Sequence, residues 1–237
     1  MQNETDRQIT NIKPEYEVSI GAAYFCLIKE RTATQITYEP TVYELDVIKT
    51  LGLTRIVAEL EVYASGILFD FLNRTMGANI ALTAVVLPPH LLNAIAGATT
   101  KDGFTFDKTN DVEREFAFGY WGENNDGSLT MIWHPVCKLT PTEETHSTST
   151  AELAEPERSY AVRVIPYNNL WRTRYDNKKD RETGYAPIER GVFFLNPIYQ
   201  ESQVPERKPS TEGDTTNPAP PSNPDTDDDI DYTGDDD

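Results

Sequence analysis

The residues able to do chemistry are few and scattered. The three histidines, His90, His134 and His146, lie far apart. None belongs to the His-Glu-x-x-His pair that sets two imidazoles on one helical face for zinc. His134 stands between Trp133 and Pro135 at a strand end, where a surface or half-buried histidine is expected rather than a ligand. No Gly-x-Ser-x-Gly elbow, phosphate loop or dinucleotide fingerprint occurs, and the glycines are isolated at turns. Glu59 and Glu61 are the paired carboxylates of interest, because residues two apart on a strand share a face. Nothing near them supplies the apolar pocket that would drive their pKa values apart, so a solvated polar face is expected. The aspartates of Asp225–Asp237 lack the loop glycine and terminal glutamate of an EF-hand. Asn73-Arg74-Thr75 matches a glycosylation sequon, which matters only in a secreted chain. No catalytic residue, metal or cofactor is expected.

Charge narrows the partners. The chain has 237 residues, with 39 acidic against 21 basic side chains. Residues 201–237 hold twelve Asp or Glu and two basic residues, so the formal balance is −10 there and −8 over residues 1–200. Neither part has the clustered Lys and Arg that grip phosphate by releasing counterions. Cys26 and Cys137 each fall in an apolar stretch and read as buried thiols, not as a disulfide framework. No segment supplies the ~20 apolar residues that span a bilayer. The first seventeen residues lack the basic and apolar regions of a signal peptide, so folding in a reducing cytoplasm is expected.

The pattern along the chain is mainly β. Residues 1–20 read as a polar N-terminal arm, 21–200 as the folded domain, and 201–237 as a disordered acidic tail rich in proline. Ala22–Ile28 reads as a buried strand, and Thr41–Leu45 as a short extended piece. In Arg55–Tyr63, Ile56, Ala58, Leu60 and Val62 alternate with Val57, Glu59, Glu61 and Tyr63. That period of two predicts an apolar face and a carboxylate face. A strand is expected at Asn79–Val86. Pro88 and Pro89 open a short helix that Gly97 closes in the left-handed conformation. Residues 98–113 suggest a hairpin or loop. Arg114–Trp121 and Ser128–Val136 are expected strands around an Asn-Asp-Gly reversal. Ser159–Pro166 turns Tyr160, Val162 and Val164 to one side, and Gly191–Tyr199 is a last apolar cluster.

Between the two central strands lies ASGILFDFLNRTMGA, read as a connection between Gly66 and Gly77. It places Ile67, Leu68, Phe69, Phe71 and Leu72 within six positions. Bulky apolar side chains in a loop serve as core or as a contact surface.

The order of these elements over residues 21–170 resembles the major tail protein family of bacteriophages with long, non-contractile tails. The resemblance is carried by GAAYFCLIKE, then the strand–connection–strand TRIVAELEVYASGILFDFLNRTMGANIALTAVV. The Pro-initiated helix LPPHLLNAIAG and the strand pair EFAFGYWGENNDGSLTMIW follow. Lys138-Leu139-Thr140-Pro141-Thr142-Glu143-Glu144-Thr145 and the closing strand SYAVRVIPY complete it; the former is similar to the family's Pro-Thr/Ser-Glu-Glu motif. The resemblance implies a β-sandwich with one short flanking helix. Six copies would join inner sheets into a ring-wide β-barrel, and rings would stack into a hollow tube for DNA. It implies a homo-hexamer that meets other phage tail proteins, passes DNA without holding it and avoids membranes. The protein would be made in the host bacterial cytoplasm and reside in the virion tail. Glu59 and Glu61 would face the lumen, where carboxylates let phosphate slide past. Ile67, Leu68, Phe69, Phe71 and Leu72 would contact the neighbouring ring.

A β-sandwich adhesion or carbohydrate-binding module is the alternative. It needs a cluster of exposed aromatics, for which Tyr167, Trp171 and Tyr175 are candidates. Their basic neighbours, Arg172, Arg174, Lys178 and Lys179, favour a subunit contact. An enzyme with a scattered site is the least supported class.

Overall fold

Ala22–Ile28 is buried without alternation, and that run sets the architecture. A strand that is apolar on both sides must be covered on both sides. In the computed structural model, which describes residues 16–64, 67–140 and 157–209, this strand is β1 (Glu17–Arg31). The remaining strands are β2 (Ile36–Leu45), β3 (Ile48–Ala64), β4 (Ile67–Ala84), β5 (Thr99–Lys101), β6 (Phe104–Phe106), β7 (Phe116–Asn124), β8 (Leu129–Thr140), β9 (Arg158–Val164) and β10 (Thr173–Asp176). One antiparallel sheet runs β2-β1-β7-β8-β9-β4-β3, with β10 beside the first part of β8 and β9 beside its last part. The sheet is not closed, so β2 and β3 are its edges. Strands β5 and β6 form a separate hairpin through Asp102 and Gly103, both at positive φ.

One core lies where the sheet curls on itself. Ala23, Phe25 and Leu27 of β1 meet Phe116 and Phe118 of β7, Ile80 and Leu82 of β4, and Val162 and Val164 of β9. The helix α1 (Pro89–Ala96) adds Leu91 and Ile95, and ends on Gly97 at φ 76. The expected helix and its terminator are both present.

The second core covers the other face of β1. Tyr24 stacks on Phe194 with ring centroids 3.9 Å apart, and Trp133 Nε1 donates to the Phe193 carbonyl at 3.2 Å. Gly119 is required here, since a Cβ would lie 2.8 Å from Trp133 and 3.0 Å from Phe194. Phe193 and Phe194 belong to a short helix, α3 (Arg190–Phe194), within the expected apolar cluster. Burying each such ring stabilises by roughly 1.5–3 kcal/mol.

The C-terminal half departs from expectation in two ways. It contains α2 (Asn177–Thr183) and α3 where only one helix was expected in the whole chain. Local caps explain α2: the Asp176 side chain accepts from the Lys178 N–H, and Gly184 closes the helix at φ 77. The folded chain also runs to Pro209, nine residues past the expected boundary at Gln200. Ala186 N–H donates to the Lys208 carbonyl at 2.9 Å, and Tyr185 bridges to Pro209. At the other end, β1 begins at Glu17, inside the expected N-terminal arm. Residues 1–15, Pro141–Glu144, His146 and Asp225–Asp237 lie outside the described residues.

Cys26 and Cys137 are free, buried thiols, and burial pushes Cys26 up to about 12 and Cys137 higher still. No helix among the described residues is long and apolar enough to cross a membrane.

Candidate assembly surface

Strand β9 pairs with β4 only from Ala78 to Ala84. Past Gly77 no further strand among the described residues pairs with the β3–β4 hairpin. Its pairing continues from Ile56↔Gly77 to Ala64↔Ile67, a two-stranded ribbon roughly 30 Å long. The segment expected as a connection is therefore mostly strand. Two register shifts, at Ile56/Val57 and Val62/Tyr63, place bulges in the ribbon and increase its twist.

The ribbon exposes apolar side chains along its length. Phe69 is 76% exposed and Ile67 72%, and Leu60, Tyr63, Phe71, Leu72 and Met76 are exposed as well. The backbone of Leu68 pairs with Tyr63, and its side chain lies outside the described residues. Leu60 stands directly opposite Leu72 on one face. On the other face Glu59 stands opposite Asn73, and Glu61 opposite Phe71. Tyr63 Oη donates to Glu61 Oε2 at 2.6 Å, which raises the tyrosine pKa.

The face expected to be apolar is only partly covered: Ile56 and Val62 are half-buried, Ala58 and Leu60 exposed. Ile48, Leu51 and Leu53 of β3 touch the core, and alternation onward from Leu53 puts Arg55, Val57, Glu59 and Glu61 on its side. Ile56, Ala58, Leu60 and Val62 take the opposite side, and Leu60 is exposed. Among the described residues no core cluster includes a residue of this part of the ribbon. A two-stranded ribbon with this much bare apolar surface is marginal alone in water.

A second group of residues gathers at the foot of the ribbon. Arg172 Cζ lies 4.5 Å from the Trp171 ring centroid and Arg55 Cζ lies 5.6 Å from it. No carboxylate among the described residues pairs with either guanidinium. Arg174 reaches only Asp176, at 3.8 Å. Burial, reinforced by the like charges of Arg55 and Arg174, holds Arg172 below the ordinary guanidinium range despite nearby Tyr120. His134 lies under Trp171, with ring centroids 5.8 Å apart, and Nδ1 stands 3.0 Å from the Trp171 carbonyl. The histidine is fully buried rather than at the surface, because Trp171 and Tyr120 cover it on both sides. Burial lowers its pKa to about 4.

Tyr167 and Tyr175 are buried, so with Trp171 they form no exposed aromatic platform. Among the described residues no three His, Cys, Asp or Glu side chains gather as metal ligands. The pairing of Arg55 with Trp171, 116 positions apart in the chain, carries no sequence signal. The basic run around Arg172 and Arg174 was the only hint of it. No protein-family model matches the chain, and no curated protein matches its sequence.

Proposed function

We propose that the protein is a non-enzymatic structural subunit that assembles into stacked hexameric rings, forming the tail tube of a long-tailed bacteriophage. The observation that carries this reading is the projecting hairpin, whose Ile67, Phe69, Phe71 and Leu72 are exposed past the last β9 pair. Such side chains stabilise a structure only when a partner covers them. The open edges β2 and β3 add unpaired backbone groups that a neighbouring sheet can satisfy. In this reading Ile67, Phe69, Phe71 and Leu72 meet the adjacent ring, while Glu59 and Glu61 face the channel. Carboxylates there repel phosphate, so DNA passes without being held. Other tail proteins cap the ends of such a tube.

Negative-stain electron microscopy of the purified chain tests the reading. Six-fold rings or hollow tubes are expected. Persistent monomers at concentrations up to the millimolar range would remove it.

A further inference from the structure

Arg55, Arg172 and Arg174 concentrate positive charge around Trp171 in a chain whose formal balance is −18. Arg55 and Arg174 are exposed, and Arg172 and Trp171 are half-buried. Like charges held together without counter-ions disfavour the fold, by amounts that depend on solvent screening. The nearby carboxylates do not balance them. Asp176 stands 3.8 Å from Arg174, and Glu17, whose pKa is raised by burial, forms no ion pair with any of the three arginines. An anion with an apolar or aromatic part fits this cluster, because the guanidiniums stand beside the half-exposed Trp171 ring.

The chain itself carries that chemistry. Asp225–Asp237 contains eight aspartates, Ile230 and Tyr232, and no basic residue. Its tether is long enough to reach. Arg174 lies in β10, α2 follows β10 directly, and Pro209 bridges to Tyr185 just past the end of α2. The end of β10, the seven-residue helix, Gly184 and Tyr185, and the bridge to Pro209 together separate the two points by at most about 30 Å. The 15 residues between Pro209 and Asp225 are enough chain to reach up to about 50 Å, more than this gap. A tether that spans the gap makes docking intramolecular, with an effective concentration in roughly the millimolar range. The net negative charge of the rest of the chain repels nucleic acid, whereas a tethered segment is not lost to diffusion.

We propose that the Arg55–Trp171–Arg172–Arg174 cluster is the docking site for the acidic segment Asp225–Asp237 of the same chain. The aspartates pair with the three guanidiniums, and Tyr232 lies against Trp171. The site sits at the foot of the projecting hairpin, so docking draws the acidic segment across the base of the candidate assembly surface.

Photo-crosslinking in the full-length chain tests this. With benzoylphenylalanine at Tyr232, irradiation is expected to join residue 232 to the Trp171–Arg174 peptide within one chain, read by mass spectrometry and by monomer mobility on a denaturing gel. Arg55→Gln with Arg172→Gln should lower the adduct yield at least five-fold. Replacing the eight aspartates of the segment by asparagine, which leaves the folded body untouched, should do the same. So should 1 M salt, where the Debye length falls to about 3 Å. Adducts confined to other peptides, yields unchanged by both sets of substitutions, or adducts found only at dimer mobility would each overturn the proposal. So would an absence of tail adduct together with Arg172-dependent binding of a fluorescein-labelled DNA duplex, which would assign the cluster to nucleic acid. None of these outcomes depends on ring formation, so the docking and the assembly readings fail separately.

Discussion

Asp180 is fully buried, and its Oδ1 lies 2.8 Å from Nη1 of Arg207. Tyr175 Oη donates to the other carboxylate oxygen and itself accepts from the Ile188 N–H at 2.8 Å. The pair ties the end of the folded chain to α2 and to β10. Removing Arg207 leaves a buried carboxylate with one partner fewer, at a cost of about 2–3 kcal/mol given the half-exposed guanidinium. Truncation after Gln200 is therefore expected to lower Tm by about 5–10 °C, and Arg207→Ala by a similar amount. Truncation after Pro209 is expected to change Tm by less than about 2 °C. Differential scanning calorimetry of the three proteins separates these cases, and equal melting after the Gln200 truncation would show that Asp180 is satisfied without Arg207.

His134 makes stability depend on pH in a defined direction. Its folded pKa, about 4, is depressed by burial from an ordinary value of 6.5. Above pH 6.5 both folded and unfolded chains hold it neutral, and its stabilising contribution is fully present. As pH falls, the unfolded chain takes the proton first, and the contribution is lost on the way down to pH 4. Between pH 7 and pH 5 the loss is about 2 kcal/mol. Urea titrations at pH 7, 6 and 5 should show this decline, and His134→Phe should flatten it. An unchanged slope in the variant would mean that another group carries the titration.

Parts of this architecture could be read directly because the signals are local. Ala22–Ile28 announces a doubly covered strand by its unbroken apolar run, and Pro89 with Gly97 brackets α1 within nine positions. The hairpin arm could not be read in the same way. Its bulges at Met76 and Phe69 break the two-residue period of β4, so Ile67–Leu72 looks like an irregular loop although it is paired strand. The burial of His134 was hidden for a different reason. Its cover, Trp171, arrives from 37 positions later and is placed by the pairing of β10 with β8. The candidate assembly surface was thus legible in composition, and its form required the pairing.

Gly77 marks the point where β4 leaves β9. Its φ is +139°, and a Cβ there would stand 2.5 Å from the Val164 carbonyl oxygen. The clash is with backbone, so it is relieved only by separating β4 from the end of β9. Gly77→Ala is expected to cost about 2–3 kcal/mol in chemical denaturation. Gly52→Ala, also in the hairpin, meets nothing closer than 4.0 Å and should stay within about 0.5 kcal/mol of the unmodified chain. Equal effects of the two substitutions would rule out a special constraint at the root of the arm.

Phe69 and Phe71 distinguish an arm from a misplaced piece of core. Both are exposed, Phe69 at 76%, and neither belongs to a core cluster. Phe71 is 46% exposed, so Phe69→Asp with Phe71→Asp removes little intramolecular burial, and the monomer Tm is expected to change by less than about 4 °C. In an assembled tube each ring would be covered, and full burial of such a side chain stabilises by roughly 1.5–3 kcal/mol. Because each ring repeats the contact around its circumference, replacing both with carboxylates should abolish polymerisation and leave a soluble, β-rich monomer. Circular dichroism, melting and electron microscopy together decide the matter. Limited proteolysis supplies an independent check: cleavage in the unassembled chain should concentrate between Gly66 and Gly77, and assembly should protect that stretch. A double variant that loses its β signal and cooperative melting would place these rings in the core and remove the arm from the assembly surface.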